Sequence, residues 1–76
     1  MRTMEFKMER SGLLSEGDIL PVTEYSLPTS YYYVLGRSFA MSANISPGDR
    51  LTSREGKVVA VEETERGFYV SVEFDE

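Results

Sequence analysis

The sequence predicts an all-β fold: a single small antiparallel β-barrel of six or seven short strands, with residues 1–76 forming one domain. Three observations carry this expectation. Polar and apolar residues alternate with a period of two in several short segments, and no segment keeps a helical period over more than two turns. Glycine, proline, asparagine, aspartate and serine punctuate those segments at close spacing. The 76 residues include no cysteine and no histidine, so neither a disulfide nor a Cys/His zinc site holds the chain together. A chain this short buries only about 60% of the surface that its unfolded form exposes. Closing the sheet into a barrel removes the edge strands that a flat sheet would leave open.

The elements follow in order. Thr3 to Arg10 alternates strictly, with Met4, Phe6 and Met8 on one face and Glu5, Lys7 and Glu9 on the other, as in a half-buried strand. Ser11 to Asp18 carries turn residues at both ends and reads as a connection. Ile19 to Glu24 reads as a short strand in which Pro21, having no N–H to donate, marks an edge, a bulge or a strand start. Tyr25 to Ser30, with Leu27-Pro28-Thr29, reads as loop. Tyr31–Leu35 and Ser38–Ser42 flank Gly36-Arg37, the signature of a hairpin with a type II′ turn. That turn would pair Val34 with Phe39 and Tyr32 with Met41 on the core side, leaving Tyr31 and Tyr33 on the other.

Ala43 to Asp49 ends in a Pro-Gly turn; Arg50–Ser53 reads as a short strand and Arg54-Glu55-Gly56 as a tight turn. Lys57–Thr64 is a strand with apolar residues on both faces, Val58 to Val61. Phe68–Asp75 alternates cleanly, with Phe68, Val70, Val72 and Phe74 on one side and Tyr69, Ser71, Glu73 and Asp75 on the other. Thr64-Glu65-Arg66-Gly67 joins the two, with Gly67 at positive φ. The expected core is Phe6, Val34, Phe39, Val59, Val61, Val70, Val72 and Phe74. One short echo, Ser-x-Gly-Asp-x-Leu, occurs at Ser15–Leu20 and Ser46–Leu51. It reads as the same strand entrance formed twice, with glycine at positive φ and aspartate capping the turn, and not as a repeat architecture.

The formal net charge is −5. Between Glu62 and Glu76 the acids Glu62, Glu63, Glu65, Glu73, Asp75 and Glu76 stand against Arg66 alone, so this end supplies the whole excess and the rest is balanced. The first reading of such a run is a solubilising face; the second is a docking surface for a basic partner. The basic residues are scattered singly, which disfavours nucleic acid as a default partner. No stretch is long and apolar enough for a membrane span, and the N-terminal residues lack the apolar core of a signal peptide. A cytoplasmic location is the expectation.

Without histidine or cysteine, Ser-His-Asp and Cys-His chemistry is ruled out. Lys7 and Lys57 read as exposed, which removes the buried lysine that Ser-Lys chemistry needs. Gly56-Lys57 is followed by Val58 and has no upstream glycine at the phosphate-loop spacing. Glu73 and Asp75 share a strand face, but nothing in the sequence supplies further ligands for Mg²⁺ or Ca²⁺. The expectation is a non-enzymatic protein with no cofactor and no metal. The run Tyr31-Tyr32-Tyr33 is the most recognition-like feature, because tyrosine offers large, stiff contact area with a polar tip. The competing reading places one tyrosine in the core and the others over a barrel end. Candidate partner-binding residues are Tyr31, Tyr33, Arg37 and Tyr69, with Glu73 and Asp75 on the acidic hairpin.

Two resemblances bear on these expectations. Gly48-Asp49-Arg50-Leu51, followed by Gly56-Lys57-Val58-Val59-Ala60-Val61, resembles the turn-and-strand pattern of SH3-like barrels of the KOW and Tudor kind. Val34 to Leu51, with Gly36-Arg37, an apolar strand, Ile45 and Gly48-Asp49, resembles the β-barrel second domain of translational GTPases, and the later strands extend the match over a little more than half the chain. Ser38 stands where that family has a second glycine, Ala43 or Asn44 where a further glycine is usual, and no GTPase domain is present. The resemblances imply a barrel and, by analogy, an RNA-, ribosome- or protein-bound role. The expected function is a binding or adaptor module for a protein partner, acting through the tyrosine-bearing hairpin or the acidic C-terminal hairpin. The alternative is an RNA- or ribosome-associated barrel.

Overall fold

A computed structural model describes all 76 residues. Six strands form the molecule: β1 (Arg2–Met8), β2 (Ile19–Ser26), β3 (Tyr31–Leu35), β4 (Ala40–Ser42), β5 (Glu55–Thr64) and β6 (Gly67–Phe74). They close into an antiparallel barrel in the order β1-β4-β3-β2-β5-β6, with β6 returning to β1. The only other element is a 3₁₀ turn at Pro47–Asp49. No helix is long and apolar enough to cross a membrane.

The two cleanest sequence alternations form the best-paired wall. β1 pairs with β6 from Arg2↔Phe74 to Met8↔Phe68, and β5 pairs with β6 up to Thr64↔Gly67. Gly67 has φ 137°, the positive value expected of it. Met4, Phe6 and Met8 from β1 meet Val70, Val72 and Phe74 from β6 in the core, where the Phe6 and Phe74 rings are 6.2 Å apart.

The β3–β4 hairpin differs from expectation. Its observed pairs are Val34↔Met41 and Leu35↔Ala40, two residues out of the predicted register, around the loop Gly36–Phe39. The Phe39 amide donates to the Leu35 carbonyl at 3.0 Å, which draws Phe39 into the turn. Its ring then lies over Gly36, where a Cβ would stand 2.6 Å from Phe39 Cδ2. Ser38 takes the left-handed φ of 63° that completes this longer loop. The faces are inverted as well. Tyr33, Leu35 and Ala40 point into the core, while Met41 is 53% exposed and Val34 is buried outside the core cluster. Phe39 packs against the core only in part.

β2 continues through Tyr25 and Ser26, which were expected as loop. Pro21 sits where the strand changes partner: Ile19–Pro21 pair with β5, and Val22–Ser26 pair with β3. Arg50–Ser53 is not a strand and Arg54–Gly56 is not a separate turn, because β5 already starts at Glu55. At Gly56 the backbone approaches β6 so closely that a Cβ would lie 2.5 Å from Val72 Cγ1. A bulge between Val58 and Ala60 resets the alternation of β5. Val58 is consequently in the core, Val59 is half-buried, and Val61 is 46% exposed despite its apolar character. The expected core members Phe6, Val70, Val72 and Phe74 are in the cluster, and Tyr33, Leu35, Leu51, Val58, Val22 and Leu14 join them.

The echoed motif forms two related turns. Asp18 and Asp49 each donate their amide to the carbonyl of Ser15 and Ser46 respectively. Only Gly17 has positive φ (97°), whereas the second copy, held by Pro47, is a 3₁₀ turn.

Candidate partner-binding surface

One end of the barrel is sealed by a polar cluster built on the core. The Tyr33 hydroxyl donates to Glu24 Oε2 at 2.8 Å and accepts from the Leu51 amide at 2.8 Å. Arg50 grips the same carboxylate with both arms of its guanidinium, Nε to Oε2 at 2.9 Å and Nη2 to Oε1 at 2.7 Å, and lies 4.7 Å above the Tyr31 ring. The Arg50 hydrogen bonds hold the Glu24 carboxyl down at about 2, well under its usual range. Burial, together with the neighbouring carboxylate, pushes the Tyr33 phenol up. Below Tyr33, its amide donates to Ser42 Oγ, which in turn donates to the Ala43 carbonyl. Every buried side-chain polar atom has a partner. The cluster clamps the Arg50–Leu51 connection over the barrel end. A second clasp holds the chain end: the Glu76 carboxylate accepts from the amides of Thr52 and Ser53, and those hydrogen bonds lower its pKa.

The outer wall has a different character. Strand registers line up one residue from each of six strands in a row: Thr23, Val34, Met41, Lys7, Tyr69 and Glu62. Beside this row Tyr25 and Tyr32 stack at 5.1 Å and 10° on the outside of β2 and β3. The Lys7 ammonium lies 6.0 Å from the Tyr69 ring centre. The row carries tyrosine and methionine side chains directly to the acidic hairpin at Glu62.

The six residues singled out from sequence separate. Tyr33, expected on a binding face, is fully buried because its phenol is the strut of the end cluster. Tyr31 is half-buried beneath Arg50, and Arg37 is exposed at the tip of the β3–β4 loop. Tyr69 is half-buried on the outer row. Glu73 and Asp75 border a shallow hollow of about 170 Å³ with Lys57, Glu55 and Ile19, and Glu73 is directly opposite Lys57. No three acidic side chains converge as a metal site would need. Sequence reasoning missed Glu24 and Arg50, which the end cluster depends on, and Tyr25, Tyr32 and Met41 on the wall. Extending β2 through Tyr25 places Tyr25 opposite Tyr32, and that longer alternation was the available signal.

A groove of about 780 Å³ runs along β1 toward the Ala43–Asp49 segment, with Met41 and Tyr69 at its border. Fold and surface together define a small closed barrel with a sealed end, an aromatic wall and one groove. No protein-family model, curated protein or solved structure matches the chain. The closed antiparallel barrel that both resemblances imply is present.

Proposed function

We propose that the protein is a non-enzymatic binding module that docks a protein partner on its outer wall. The observation that carries this reading is the row from Met41 through Lys7 and Tyr69 to Glu62, with the stacked Tyr25–Tyr32 pair on the same outer wall. Tyrosine and methionine supply adaptable apolar contact at recognition surfaces. The adjoining acids of the C-terminal hairpin supply a sign preference for a basic partner. The tyrosine-bearing hairpin and the acidic hairpin then act as one surface.

The test is capture of partners from the protein's own cell extract by the wild type, by Met41→Glu with Tyr69→Ala, and by the control Glu16→Ala on the far connection. Loss of the same captured proteins from the wall variant, and not from the control, supports the reading. Equal capture by all three removes it. The ribosome- or RNA-bound alternative rests on the turn-strand resemblance, and a fluorescent single-stranded RNA titrated at low salt, where phosphate contacts are strongest, decides it.

A further inference from the structure

The barrel wall is incomplete beside the first half of β1. We propose that this gap takes up an extended segment of a partner protein as an added strand, with apolar side chains at every second position and basic ones between. This inference rests on the reading of the molecule as a protein-binding module and specifies the mode of binding.

β1 meets β6 along its whole length but meets β4 only through Phe6–Met8. Past Ser42 the chain turns away from β1, and Ile45 spends both its amide and its carbonyl on Tyr31. Which β1 groups face the opening follows from alternation. Tyr31 and Tyr33 direct their amides to the β4 side, as Leu35 does with its carbonyl. Ala40, opposite Leu35, therefore points to β3, and Met41 points to β1. Lys7, opposite Met41, points to β4, so Glu5 and Thr3, at the same parity, point their N–H and C=O groups into the gap. Neither residue has a hydrogen bond across the gap. At the far mouth the Arg2 guanidinium reaches the carbonyls of Asp49 and Arg50 and closes the opening into a slot.

Unpaired strand groups are a template for another strand, and peptide recognition by strand addition uses them for affinity and the alternating pockets for selectivity. Thr3 to Glu5 offers a template of roughly 7 Å at about 3.3 Å per residue. Met4, Met8 and Ile45 supply apolar lining, and Glu5, Glu9 and Asp49 supply acids. Arg2 is paired with Glu76 at 3.7 Å, and Glu5, Glu9 and Asp49 outnumber Lys7, the remaining cation of the slot. The net charge facing a ligand is therefore negative, which selects basic outward side chains. The same acids oppose a phosphate backbone. They also oppose a second copy, because each chain carries a net charge of −5.

The probe is a displayed library of random heptapeptides, with enriched peptides then titrated against the purified protein. The expected winners alternate apolar and Lys/Arg residues. N-methylation at the alternate positions facing β1 should weaken them by about tenfold or more, the effect of losing one to two backbone hydrogen bonds. Thr3→Pro deletes a slot-side donor without touching the β6 ladder, so it should weaken them similarly while the melting temperature holds. If that variant does not fold, the N-methylated peptides decide. The proposal is overturned by a library that yields no binder, by binders indifferent to both changes, or by binding that appears only as self-association in sedimentation. Peptides that lose affinity on Met41→Glu with Tyr69→Ala but not on Thr3→Pro would leave the wall reading standing and remove strand addition. Absence of any protein or peptide ligand removes both.

Discussion

The two edges of β1 make an instructive contrast. Toward β6 the strand is paired from Arg2 to Met8; toward β4 it is paired only from Phe6 to Met8. The same seven residues thus serve as core scaffold on one side and as a partly open edge on the other. The cause lies in the neighbours. β6 is long and alternates without interruption, whereas β4 is three residues long and its continuation is drawn to Tyr31. A closed barrel in which one seam is short keeps its stability on the well-paired side and leaves backbone groups free on the other.

Breaking the closed side should have the largest effect. Phe74→Ala removes a fully buried ring packed against Phe6 and is expected to cost about 3–5 kcal/mol, enough to unfold much of a small domain. A urea titration followed by far-UV circular dichroism measures it, and a loss under about 1 kcal/mol would show that the β1–β6 wall is not the stabilising element. Next comes Tyr33→Phe, which leaves the buried Leu51 amide without its partner and takes one of two hydrogen bonds from Glu24 Oε2, at a cost of about 1–3 kcal/mol. It should loosen the Arg50–Leu51 connection while sparing the β5–β6 amides in hydrogen exchange.

Acid should act on the same clamp. Glu24 has a folded pKa of about 2, below the ordinary 4.5, so its contribution is complete above about pH 4.5 and is lost as the pH falls toward 2. Glu76 is shifted in the same direction and adds to the loss. The Glu24→Gln variant should show a flatter dependence of melting temperature on pH across that window, and an unchanged slope would discount the clamp. The smallest effect is expected at the hairpin loop. Ser38 holds a left-handed φ, so Ser38→Gly should change stability by less than about 1 kcal/mol and in the favourable direction.

Much of the fold was legible in the sequence. The alternation of Thr3–Arg10 and Phe68–Asp75 gave both strands and their inward faces, because period two holds wherever no bulge intervenes. Legibility failed where one residue changes the count. The bulge between Val58 and Ala60 turned Val61 outward, the Phe39-to-Leu35 hydrogen bond lengthened the hairpin loop, and the hairpin turned Tyr33, Leu35 and Ala40 inward in place of Tyr32 and Met41. The candidate surface was legible only in part for the same reason. Tyr69 follows from a clean alternation, while Tyr33 moved from surface to core with the inverted hairpin. Glu24 and Arg50 were invisible as partners because 26 residues separate them and only barrel closure brings them together.

Amide hydrogen exchange along β1, resolved residue by residue by NMR, tests the open edge most directly. Met4 and Phe6, whose amides face β6, should exchange slowly, and Thr3 and Glu5 should exchange fast until an alternating apolar-basic peptide is added and slows them by about tenfold or more. Uniform protection across Thr3 to Phe6 in the free protein, or no slowing at Thr3 and Glu5 with bound peptide, would contradict the account.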